Sequence, residues 1–162
     1  MNSHHVRLFI FNRINCHCSD KIIQLRLFNP IPKVLFKQEF LDSLSAQAAA
    51  SPRLRMHYDL RDSSSDGSMR MLNALEPGTV IPIHRHLSTS EEVICIRGCV
   101  EEVFYNDQGS EIARYRLSPE SGLMHCHVPI AQFHTCQSLV SGSVIVEFKN
   151  GPYDPLTTED FL

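Results

Sequence analysis

No apolar run in this chain of 162 residues approaches the ~20 residues that a bilayer crossing needs. Nor is a secretory leader expected. The opening apolar stretch, residues 6–11 (VRLFIF), is short, carries Arg7 and is followed by no small-residue cleavage pattern. A cytoplasmic protein without a membrane partner is therefore expected. The body also lacks basic charge. Residues 38–162 hold nine of the fifteen Lys and Arg but seventeen of the eighteen Asp and Glu, a net of −8. That balance argues against nucleic acid as a partner, because phosphate binding needs a basic surface. Basic excess is confined to the start, where Arg7, Arg13, Lys21, Arg26, Lys33 and Lys37 face one acid, Asp20.

Nor do the six cysteines suggest a disulfide scaffold in a chain of this length without an export signal. Cys95, Cys126 and Cys136 sit in apolar, strand-like runs, where a reduced cysteine behaves as a small hydrophobe. Cys16-His17-Cys18 groups three soft ligands, but no second cysteine pair stands at a matching spacing, so no site is expected there.

What is present describes one ordinary globular domain, with 43% hydrophobic and 20% charged residues. Residues 1–36 form a basic, irregular arm that ends among prolines. Residues 37–60 hold a helix, with Phe40, Leu44 and Ala48 at i, i+4, i+8 and Leu41 beside them, then a lead-in strand after Pro52. From residue 61 short apolar strands alternate with turns, including a hairpin around Asn106-Asp107-Gln108-Gly109. The expected fold is all-β, a small antiparallel barrel or jelly roll over residues 61–162, preceded by the N-terminal helix.

One stretch carries chemistry: GTVIPIHRHLSTSEEVICIRG, residues 78–98. On a strand, residues i and i+2 share a face, so His84 and His86 aim at one point while Arg85 turns away. A turn after Leu87 returns the chain and brings a carboxylate alongside, and His134 opens a later strand. Three imidazoles and one carboxylate suit a divalent transition metal such as iron, manganese, nickel or zinc. Periodicity does not choose between Glu91 and Glu92, since both faces of that strand are apolar. His125 and His127 repeat the His-x-His spacing, but no carboxylate follows as at the first pair; they are expected to face outward.

The spacing of Gly78, His84-Arg85-His86, Glu91 and Gly98 resembles the first cupin motif at every defined position. The second motif is matched in part by Gly122, Pro129-Ile130-Ala131 and His134, with alanine where cupins usually carry glycine. Residues 37–162 further resemble the WbuC-like cupins, through SPRLRMHYDL, LNALEPGTVIPIHRH and FKNGPYDP. The resemblance implies a cupin fold and a metal held by His84, His86, Glu91 and His134. It also implies an association with bacterial O-antigen and surface polysaccharide gene clusters; the family's reaction is unassigned. Arg53 and Arg55, at i, i+2 after the helix, and Lys149 and Tyr153, near the last strand, are candidate substrate contacts. The expected activity is that of a metalloenzyme (isomerase, epimerase, hydrolase or oxygenase) acting on a sugar or sugar nucleotide. The alternative is a non-catalytic saccharide binder organised by the metal. Apolar residues on both faces of residues 91–97 point to a homodimer.

Overall fold

The computed structural model describes residues 35–162. The arm at residues 1–36, with its Cys16-His17-Cys18 group, lies outside the described residues except for Leu35 and Phe36. A single α-helix, α1 (Gln38–Ala50), comes first. Its sequence is rich in Ala, Leu and Gln and free of Gly and β-branched residues, and Glu39 in the first turn complements the helix dipole. It stops at Ser51, whose extended backbone is what a following proline imposes. Among the described residues no helix is long and apolar enough to cross a membrane.

Eight strands follow: β1 (Arg55–Asp59), β2 (Met69–Leu75), β3 (Glu91–Arg97), β4 (Val100–Tyr105), β5 (Glu111–Leu117), β6 (His125–Val128), β7 (Phe133–Ser138) and β8 (Ser143–Lys149). They build two antiparallel sheets, ordered β1-β2-β8-β3-β6 and β5-β4-β7. This is the all-β jelly roll with an N-terminal helix that the sequence led us to expect. The inner faces meet in a core of Leu75, Val93, Cys95, Val100, Phe104, Leu117, Val128, Cys136 and Ile145. The outer face of the larger sheet is apolar too, and α1 covers it, packing Leu41, Leu44 and Ala48 on Leu72, Ala74, Val144 and Val146. Ile96 joins that second core.

Three features set the geometry of the interior. Glu91 opens β3 opposite Lys149 of β8 and Val128 of β6, with its side chain on the inner face. His134 lies on β7 opposite Phe104, on the other sheet. The C-terminal residues return beside residues 83–85: Arg85 N–H donates to Asp160 O (2.9 Å) and Leu162 N–H to Ile83 O (3.2 Å).

Candidate metal centre

His84 and His86 do not lie on a regular strand. Pro82 offers no N–H, and the segment meets the sheet through one bridge, His84 with His134, closed by reciprocal N–H···O bonds of 3.0 and 2.8 Å. That bridge suffices to keep both rings on one side, with centroids 5.0 Å apart. Arg85 turns away as its parity requires, its guanidinium 4.5 Å from the centre of the Phe133 ring and donating to Glu159 O (3.3 Å).

Glu91 reaches the same point from the other sheet. Its Oε2 stands 3.0 Å from His86 Nε2, 3.9 Å from His134 Nε2 and 3.2 Å from Lys149 Nζ. One donor atom from each of His84, His86, Glu91 and His134 lies within 4.8 Å of all the others, so the cluster could hold a metal ion. Beyond these ion-pair contacts, His86 Nε2, Glu91 Oε2 and His134 Nε2 are buried without hydrogen-bond partners. Buried polar atoms are nearly always satisfied, and three orphans converging on one point fit the ligand shell of a cation. Ligands bonded to an ion at ~2.1 Å stand roughly 3–4 Å from one another, the range of His86 Nε2 (3.0 Å) and His134 Nε2 (3.9 Å) from Glu91 Oε2.

Hydrogen bonds behind the cluster fix the ring orientations. His84 Nδ1 donates to Pro82 O (3.0 Å) and His134 Nδ1 to Glu102 Oε1 (2.6 Å), which leaves the Nε2 lone pair of each free for a ligand. Glu102 was not singled out in the sequence. It is fully buried, and its signal was legible: it shares strand parity with the inward-facing Val100 and Phe104. Burial, then the neighbouring His134, pushes His84 down to about 4, and burial lowers His134 as well. Burial opposes ionisation of Glu91, yet contact with His86 and the Lys149 ammonium holds its carboxylate at about 2. At neutral pH His84 and His134 are therefore neutral imidazoles and Glu91 a carboxylate, the protonation states a metal requires.

A cavity of about 370 Å³ opens over His84 and His86, lined further by Ser88, Thr89, Lys149, Tyr153, Asp154 and Thr157. Two of the four candidate substrate contacts, Lys149 and Tyr153, are therefore at the cavity. Arg53 and Arg55 are not. The extended run that would align them is broken by Leu54, whose φ is 54°, and Arg55 donates instead to Val80 O (2.5 Å). Glu92 faces outward from β3, where its carboxylate meets His125 Nε2 (2.5 Å) and His127 Nδ1 (2.7 Å). Both of those histidines are exposed, as their strand parity suggested. The C-terminal residues 152–160, which the sequence pattern did not mark, form one wall of the cavity.

A two-sheet jelly roll with His-x-His, Glu and a distant His gathered between its sheets has the cupin fold. The chain belongs to the family described as a domain of unknown function (DUF6016), whose model matches residues 36–117. Its structure is similar to CapF, a capsular polysaccharide assembling protein from Staphylococcus aureus, at 21% identity and a TM-score of 0.52 over 61% of this chain. The chain spans only 27% of CapF's length. It is also similar to KdgF from Halomonas sp. (16% identity, TM-score 0.51, 64% of this chain and 84% of that one). Peruvianin-I, a cysteine peptidase from Thevetia peruviana latex, matches at 15% identity and a TM-score of 0.53 (67% and 68%). At these identities the likeness is one of fold. No curated protein matches the chain.

Proposed function

We propose that the protein is a metal-dependent cupin acting on a sugar or sugar nucleotide in surface polysaccharide biosynthesis, in the manner suggested by its WbuC-like sequence features. The carrying observation is the convergence of three orphaned, buried donor atoms beside His84. His84, His86, Glu91 and His134 would hold the ion. When bound, a divalent transition metal polarises a carbonyl or vicinal hydroxyls, or lowers the pKa of a water.

The remaining steps belong to the chain. Lys149, Tyr153, Ser88 and Thr89 present an ammonium and three hydroxyls to the cavity, a donor set suited to sugar hydroxyls and acidic substituents. Apolar walls from Met69, Leu87 and Leu156 shed water from the site and strengthen each polar contact. The cavity is in the size range of small-molecule sites. CapF's description as a capsular polysaccharide assembling protein supports the saccharide reading through the shared fold.

Elemental analysis of the purified protein, with turnover of a panel of nucleotide sugars, tests this. The expected result is about one ion per chain, lost in His84→Ala, and a turnover that chelation abolishes. Tight saccharide binding without product would make the protein a binder; full metal retention in His84→Ala would remove the site.

A further inference from the structure

The two sheets part between β5 and β6, each the outermost strand of its sheet. That seam opens into a cavity of about 460 Å³ that shares no lining residue with the metal cavity. Phe104, Tyr115 and Cys126 form its apolar body, and Ile112 and Leu123 extend it to the surface. Tyr115 packs edge-on against Phe104, with ring centroids 5.9 Å apart, yet remains 48% exposed. An inward-facing aromatic left this open presents a flat apolar surface that a ligand can cover.

The polar side chains at this cavity are His125, His127, Gln132 and the Tyr115 hydroxyl. Glu92 stands behind His125 and His127, and its ionised carboxylate only accepts. Each imidazole therefore gives an N–H to Glu92, leaving His125 Nδ1 and His127 Nε2 to meet a ligand. Gln132 spends its amide N–H groups on Tyr105 O (2.7 Å) and Phe133 O (3.0 Å), so its Oε1 is also an acceptor. No Lys or Arg lines the cavity. The Glu92 carboxylate behind the rim and the Gln132 Oε1 on it, with no Lys or Arg in the lining, attract donors and cations and disfavour anions.

We infer that this seam is a second binding site, distinct from the metal centre, for a small ligand with a flat apolar body and a hydroxyl or ammonium donor. The test is a titration of the isotopically labelled, metal-loaded full chain with tyramine, using 3-phenylpropionate as an anionic counterpart. Tyramine is expected to shift the amide resonances of Ile112, Tyr115, Leu123 and His125 saturably, with 3-phenylpropionate weaker by roughly tenfold or more. Tyr115→Ala and Glu92→Gln, both at exposed or half-exposed positions, should each weaken tyramine about fivefold or more while metal content stays unchanged. Equal affinity for the two probes, shifts centred on residues 84–91, or no saturable shift would overturn the inference. Dilution-dependent shifts of the same resonances without any probe would assign the seam to a second copy of the chain, and would equally overturn it.

Discussion

Ala131 holds a backbone φ of 62°, a left-handed conformation that costs an L-residue about 1 kcal/mol. It stands where the cupin pattern carries glycine, so the motif's preference has a local steric cause. Ala131→Gly is expected to leave metal binding intact and to raise the melting temperature by about 2–4 °C, read by calorimetry. Gly98 is the opposite case. At a φ of 78°, an added Cβ would stand 2.8 Å from Ser143 Cα, a backbone atom that cannot yield. Glu91 and Glu92 illustrate what parity leaves open: adjacent residues necessarily face opposite ways, and only the placement of the second sheet says which way is inward. Glu91→Ala should abolish metal binding and Glu92→Ala should retain it, measured as bound metal per chain. Glu102 acts through His134. Replacing it with Leu, which cannot accept from Nδ1, should weaken metal affinity about 10–100-fold in a chelator competition. Unchanged affinity would mean that its hydrogen bond does not orient the ring.

Elements with regular periodicity were legible. The helix was visible in Leu41, Leu44 and Ala48, all of which are buried. The β4–β5 hairpin was visible in its turn, where Asn106 Oδ1 accepts from the Gln108 and Ser110 N–H groups. Residues 78–90 were not, because their conformation rests on bridges from His84 to His134, about fifty residues away, and to Phe161 near the end of the sequence. Arg97 also escaped notice, although it fastens α1 to the sheet. Its guanidinium pairs with Asp42 (2.8 Å) and donates to Leu41 O, Ser45 Oγ and Gly142 O. Arg97→Lys keeps the charge but not the fork of donors. A loss of about 1–3 kcal/mol in urea unfolding is expected, with metal content unchanged. Leu44→Ala, at a site 3% exposed, should cost about 2–5 kcal/mol.

At the scale of the whole molecule, the titration of the interior Glu147 carboxyl opposes that of the histidines. Burial and the nearby Glu91 charge push Glu147 up to about 8. Its carboxyl takes up a proton on folding, so its contribution is full below the ordinary glutamate range and is lost as pH rises through about 8. His84, at about 4, refuses a proton that the unfolded chain accepts below about 6.5, so stability also falls as pH drops from 6.5 toward 4. Metal-stripped protein should therefore melt highest between about pH 4.5 and 6.5 and lower on either side. A melting temperature that rises monotonically to pH 8 would contradict the buried state of Glu147.

Sequence alone determined the alternation of apolar and polar residues, the turns and the His-x-His spacing, because each depends on neighbours a few positions away. It thereby determined an all-β chain with a helix at its start and the residue types of a metal site. Tertiary structure decided which glutamate joins the histidines, that Glu102 backs His134, that Arg55 bonds to Val80 O rather than lining the metal cavity, and that a second cavity opens between β5 and β6. Those outcomes follow from how two sheets face one another, and the inward direction of a strand exists only once its partner sheet is in place.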